Sequence, residues 1–344
     1  MKPPKALPEL PTAADWSRVL SRFRTPANGR AIAELVLTIV PFIGLWALTC
    51  IAWTHGMAYV AIPLSLVASA FLVRLFLIQH DCGHGAFFRS RRANDWLGRI
   101  LGVLTLTPYA HWRMAHAMHH ATHGNLDRRG VGDVDTLTVA EYLARPRWTR
   151  MRYRLYRHPV VMFGIGPAYV FFVSNRFPAG FMRSGWRPWL STMGTNVAAG
   201  VVLAALAYSI GFGTLLLVHA PIVLVAATMG VWLFYVQHQF EHSHWTHADT
   251  WNARDAALIG SSHYALPPVL RWFTANIGAH HVHHLSSGIP FYRLPNVLRA
   301  YPALAAINRL TLRQSFRCAA LTLWDEASHR LVRFADVSPG TRGG

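Results

Sequence analysis

The stretch Thr192–Gln237, TMGTNVAAGVVLAALAYSIGFGTLLLVHAPIVLVAATMGVWLFYVQ, contains no Asp, Glu, Lys or Arg and runs directly into His238. About 20 apolar residues let one helix cross a bilayer, so this run is long enough for two crossings. Its middle, Ser209-Ile210-Gly211-Phe212-Gly213, has the glycine spacing of a tight turn. The reading is therefore a helical hairpin with spans Thr192–Ser209 and Phe212–Gln237. A second hairpin lies upstream, Ala31–Trp53 and Met57–Gln79, joined by the uncharged Thr54-His55-Gly56. Composition agrees: 52% of residues are apolar and 14% charged, whereas soluble domains carry roughly a quarter charged residues.

The net charge is +18, and Lys2 and Lys5 are the only lysines. Next to such apolar stretches, this basicity suits anionic lipid better than nucleic acid, so no nucleic-acid partner is expected. Residues 1–30 carry six Lys/Arg and residues 80–191 carry sixteen Arg, while both short turns carry none. Basic segments stay on the cytoplasmic side, which puts both termini and the segment between the hairpins there. Two shorter apolar runs, Leu97–Tyr109 and Val160–Val173, suit interfacial or re-entrant segments rather than crossings. The expected division is a cytoplasmic segment 1–30, a membrane domain 31–310 and a cytoplasmic tail 311–344, with a helix around Pro295–Arg309. No cleaved signal peptide is expected, because the first thirty residues have no apolar core. Cys50, Cys82 and Cys318 form no CxxC pair, so neither a disulfide framework nor an iron–sulfur cluster is indicated.

Fifteen of the twenty histidines fall into four groups. These are His80 and His84; His111, His116, His119, His120 and His123; His238, His242, His244 and His247; and His280, His281, His283 and His284. On a helix, positions i, i+3 and i+4 share a face. His80/His84, His116/His119/His120, His238/His242 and His280/His283/His284 meet that condition. Convergent neutral imidazoles make a metal site, and nine or ten of them exceed what one tetrahedral zinc uses. Two metals fit the count, and imidazole alone leaves iron, copper, nickel and zinc open. Asp81, Glu241 and the Asp133-Val134-Asp135 segment stand near ligands, where carboxylates orient imidazole N–H groups as readily as they sit solvated. The bland alternatives are interfacial polarity for an isolated pair, ring contacts for His111, His123, His244 and His247, and a lipid-facing surface for Arg145–Arg157. Trp53, Trp232 and Tyr235 read as interfacial anchors. His281 points off the shared face of its neighbours. A metal transporter would need ligands near the bilayer midplane, where His219 is the lone candidate.

The stretch His80-Asp81-Cys82-Gly83-His84-Gly85 resembles the first histidine box of membrane fatty-acid desaturases, and His116-Ala117-Met118-His119-His120, followed by Asn125, resembles the second. Asn276–His284 resembles the third box. Ile289–Pro295 and Phe234–Glu241 are similar in spelling to bacterial and plastid-type omega-6 (Δ12) acyl desaturases. The resemblance covers roughly residues 30–310. It implies an all-α integral membrane protein, four spans in two hairpins, and a cytoplasmic helical cap holding a histidine-ligated di-metal site. It further implies two irons as cofactor and O2 as co-substrate. The implied partners are a membrane-lipid acyl chain and an external, ferredoxin-like electron donor. The implied membrane is a bacterial inner membrane with the site on its cytoplasmic face. The implied ligands are His80, His84, His116, His119, His120, His238, His280, His283 and His284, with His242, Asp81, Glu241 and His123 as further ligands or supporting groups. Hydroxylases of the same family share the boxes, so oxygen insertion stays open beside desaturation, and a non-redox metal protein is the remaining alternative. His123, His242 and His244 depart from the subfamily pattern.

Overall fold

The computed structural model describes residues 13–130 and 132–337. The first segment, α1 (Ala13–Ser21), is followed by four long apolar helices, each long enough to cross a membrane: α2 (Asn28–Thr54), α3 (Ala58–Gly83), α9 (Trp186–Ile210) and α10 (Phe212–His238). Each expected span is present. The third begins earlier than its apolar run, because Trp186-Arg187-Pro188 already form the first turn of α9. Gly211 alone joins α9 to α10 with φ +82°, a left-handed conformation that glycine adopts without strain.

The hairpins run antiparallel, and their histidine-bearing ends share one side. Glu34 near the start of α2 pairs with Arg74 near the end of α3. Ser191 near the start of α9 accepts the Ala110 amide at 3.2 Å, which brings α9 to α5 (Tyr109–Thr122). The ends of α3 and α10 meet through their histidines, as described below. Arg74 is 1% exposed within a membrane helix and would be costly alone. Glu34, the Thr38 hydroxyl and the Trp272 carbonyl satisfy its guanidinium, and its charge lies over the Trp272 ring at 4.0 Å.

Between the hairpins, α4 (Arg91–Leu104) and α5 are separate helices, so the run 97–109 is not one segment. The break at Thr105–Pro108 holds Leu106 at φ +52° and is pinned to α3, because the Gln79 amide takes the Thr105 hydroxyl and donates to the Thr107 carbonyl. Trp96 and Ile100 stay exposed on α4, as on an interfacial helix. After α6 (Val139–Ala144) and α7 (Arg147–Tyr156), the run 160–173 forms a π-turn, Val161–Ile165, and α8 (Gly166–Phe172), packed on α10 through Phe163 and Trp232.

The cap contains α11 (Ala253–Leu258), α12 (Pro268–Phe273), α13 (His280–Leu285), α14 (Leu294–Ala300), α15 (Pro302–Ala306) and α16 (Leu312–Cys318). The helix expected over 295–309 is two helices, because Tyr301 leaves the helical conformation before Pro302. Five short strands complete it. β1 (Leu137–Thr138) pairs with β4 (Leu323–Asp325), β4 with β5 (Arg330–Val332), and β2 (His263–Ala265) with β3 (Arg309–Thr311). Residues 311–337 are therefore a folded part of the cap rather than a tail: Trp324 and Leu331 pack with Leu126 and Trp245.

The arginine run 145–157 also divides. Arg147, Arg152 and Arg154 are exposed, but Arg157 is 2% exposed and reaches three separate segments. It donates to the Asp135 carbonyl at 3.0 Å, the Leu321 carbonyl at 2.9 Å, the Tyr235 hydroxyl at 3.1 Å and Gln239 Oε1 at 2.9 Å. Tyr235 is consequently a core side chain and not an interfacial anchor.

Removing one partner of a buried ion pair strands the other charge, at a cost of about 3–5 kcal/mol. Glu34→Ala is expected to lower the stability of the detergent-solubilised protein by that order, and Glu34→Ala with Arg74→Met to recover most of the loss. Thermal unfolding of the three proteins checks this; a single variant as stable as wild type would show that the pair holds nothing together.

Candidate metal centre

The local sequence explains how each ring reaches the centre. The last turn of α3 carries His80, and His84 caps it. Gly83 allows α5 to lie against this end, since a Cβ there would stand 2.8 Å from the Trp112 ring. Trp112 stacks on His116 one turn later at 4.7 Å, so that α5 presents His116, His119 and His120 to α3. On the far side α10 ends at His238, and α13 carries His280, His283 and His284.

All nine expected ligand side chains come together, and they divide into two groups. One comprises His80, His84, His116, His120 and His283; the other comprises His119, His238, His280 and His284. Within each group one nitrogen per ring lies within 4.8 Å of every other. The groups abut, with the His120 and His284 rings stacked at 4.1 Å.

Nitrogen geometry tests whether these rings fit a metal. In the second group the Nε2 atoms form a closed cycle: His119 to His238 at 3.1 Å, His238 to His280 at 2.9 Å, His280 to His284 at 3.1 Å, and His284 to His119 at 3.3 Å. Each ring nitrogen has one in-plane position, holding either a proton or a lone pair. At most two of these four contacts can therefore be hydrogen bonds. Four lone pairs directed at a common point suit a cation. The first group has the same character, His84–His116 at 3.0 Å, His116–His120 at 3.1 Å and His120–His283 at 3.1 Å. Burial, reinforced by the neighbouring rings, holds His84, His116, His120, His280, His283 and His284 well below the usual imidazole range, which keeps them neutral and their lone pairs free.

Carboxylates fix two rings from behind. His119 donates Nδ1–H to Asp133, which leaves Nε2 bare toward the centre. Asp81 takes the Nδ1–H of His80 at 3.3 Å through one oxygen and the Phe291 amide at 2.7 Å through the other. It thereby ties the first box to the chain that follows the third. His123 directs Nε2 at the Gly260 carbonyl at 2.8 Å and packs its ring 4.1 Å from His238. It also forms a small group with Asp133 and with His119, which belongs at the same time to the set of four.

The remaining candidates lie elsewhere. Because α10 ends at His238 and Gln239 leaves the helical conformation, His238 and His242 never share a helix face; His242 is exposed. Glu241 is exposed too and faces Arg330 at 3.6 Å. His247 sits on the surface between Asp127 and Glu326, His111 bonds the Ala179 carbonyl, and His281 bonds the Leu304 carbonyl at 2.9 Å. His219 joins no group of metal-ligating side chains among the described residues. Two contributors escaped the sequence reading. Trp112 was detectable, one helical turn before His116; Arg157 gave no signal that set it apart from its run.

Known proteins give the arrangement its family. The fatty acid desaturase profile matches residues 56–316. A fatty acid desaturase of Bacillus subtilis (strain 168) is 42% identical over 93% of this chain and 90% of its own length. The sn-1 acyl-lipid omega-3 desaturase (ferredoxin) of Synechocystis is 30% identical over 68% of this chain and 65% of its own. The sn-1 oleoyl-lipid 12-desaturase of Picosynechococcus is 24% identical over 88% and 79%. The chain belongs to the fatty acid desaturase family and is an oxidoreductase of the membrane.

Proposed function

We propose that this chain is an O2-dependent acyl-lipid desaturase whose nine clustered imidazoles hold two irons, with the new double bond placed near Δ12. The observation that carries the reading is the division of nine imidazoles, buried or half-buried, into adjoining groups of five and four. A lone tetrahedral zinc would leave most of these lone pairs unmatched. Bound there, iron supplies the oxygen activation that removes hydrogen from an unactivated methylene, which no acid or base side chain achieves.

The chain's own residues orient and seclude the site. Asp133 and Asp81 hold the Nδ1 protons of His119 and His80, so that those rings offer Nε2 inward. His80, His119, His238, His280 and His283 are all below 5% exposed, which keeps bulk water from the centre. The Δ12 placement is supported by the spelling around His238 and across Ile289–Pro295, and by the similarity to an oleoyl-lipid 12-desaturase. Arginine placement supports a cytoplasmic site in an inner membrane. A ferredoxin-like donor is supported by the basic surface and by the relative named for ferredoxin.

Four measurements bear on this. The purified protein is expected to hold about two irons per chain, as imidazole-rich sites allow. His84→Ala, His119→Ala and His283→Ala should each lose activity while still inserting in the membrane, whereas His242→Ala and Glu241→Ala should keep it; an active preparation containing a single zinc would refute the assignment. Expression in a host with oleoyl lipids but no polyunsaturated acids should yield a diene, and lipid analysis finding a hydroxylated chain, or new bonds only in saturated chains, would reject the Δ12 reading. Turnover should require an added acidic electron carrier and weaken as salt rises; full activity with NAD(P)H alone would remove the external donor.

A further inference from the structure

Two cavities lie side by side, one of about 740 Å³ where the cap meets the first hairpin and one of about 930 Å³ within the cap beside it. They share Arg271, Asn276, Pro295 and Arg299, so they form one groove in two parts. The first part adds Arg30, Arg74 and Arg293; the second adds Arg309 and Arg313. Seven arginines thus line the groove against one carboxylate, Glu34, which is already engaged by Arg74 and by Arg30 at 2.6 Å. Arg271, Arg293, Arg309 and Arg313 have no carboxylate partner among the described residues. Such an excess of planar, always-charged donors matches the oxygens of a phosphate ester.

Position selects the source of that phosphate. Helix α12 lies against α3, with Trp272 and Phe273 packed on Phe71 at 5.8 and 5.1 Å, near the middle of a membrane helix. On the same short helix Val269 and Leu270 are 66% and 38% exposed, and Arg271 follows them directly. An acyl chain lying on Val269 and Leu270 would bring its own headgroup to Arg271. At the back of the groove, Asn276 donates to the Phe291 carbonyl at 3.3 Å, and the Phe291 amide holds Asp81 beside His80. Basic pockets beside membrane helices are a recurrent way of holding lipid headgroups.

We propose that this groove binds the phosphodiester headgroup of a membrane phospholipid and positions that lipid beside the metal centre. Phosphate binding stands on the groove alone; that the bound lipid is also the substrate rests on the acyl-lipid reading above.

The test uses the full-length protein in nanodiscs of dioleoyl phosphatidylglycerol mixed equally with a neutral dioleoyl glycolipid, followed by native mass spectrometry. Wild type should retain phosphatidylglycerol selectively. Arg271→Gln with Arg299→Gln should reduce that retention about tenfold, the scale of two lost guanidinium–phosphate contacts, with metal content unchanged. Arg309→Gln with Arg313→Gln should reduce it in the same direction, and Arg183→Gln with Arg187→Gln, outside the groove, should not. Equal retention of the two lipids by wild type, undiminished retention in the Arg271/Arg299 variant, or displacement of the phospholipid by micromolar oleoyl-CoA would each overturn the proposal. Selective retention lost in the variant supports the groove even in a preparation that forms no diene, because a missing diene counts against the acyl-lipid reading and not against the phosphate site.

Discussion

Imidazole rings can stand Nε2 against Nε2 at 2.9–3.3 Å only while they are uncharged and their lone pairs meet something positive. That constraint organises the rest of the molecule. It needs rings from four helices at one level, which the hairpins provide by ending α3 and α10 on the same side as the starts of α2 and α9. It needs protons held away from the centre, which Asp133 and Asp81 do from outside the cluster. It also needs the cap to keep water out, and that is why short helices and strands with little stability of their own are packed over these ends.

The supporting interactions are polar and buried, and each closes a different gap in the framework. Arg74 and Glu34 join the two helices of the first hairpin where an isolated charge would be expelled from the membrane. Arg157 works without a carboxylate, spreading the donors of its two terminal nitrogens over carbonyls, a hydroxyl and an amide from the segments around Asp135, Tyr235–Gln239 and Leu321. Two of those partners flank His238, so the end of α10 is fixed by a cation from a helix that contributes no ring to the centre.

The spans and eight of the nine rings were legible in the sequence because each rests on a local rule, apolar length for a helix and i, i+3, i+4 spacing for a face, whereas His238 came in through the family resemblance. Where the rule stopped being local, the reading failed. His238 and His242 have the spacing of a shared face, but the helix ends between them. Leu97–Tyr109 is mostly apolar, Arg99 being its one charged residue, yet Gln79, far away in sequence, holds a break at Thr105–Pro108. Tyr235 has the composition of an interfacial anchor and becomes core because Arg157 comes to it. How the nine rings divide between two groups is likewise a property of packing: His119 and His120 are neighbours in sequence and belong to different groups.

That division has a consequence for how the protein is made. The group of five requires His283, and the group of four requires His280 and His284. All three sit on α13, which leaves the ribosome after every other contributing helix. A nascent chain that has inserted all four spans still has neither group complete. On the proposed di-metal reading, a metal would find its full set of rings only once one short helix docks, and both groups reach completion in the same event.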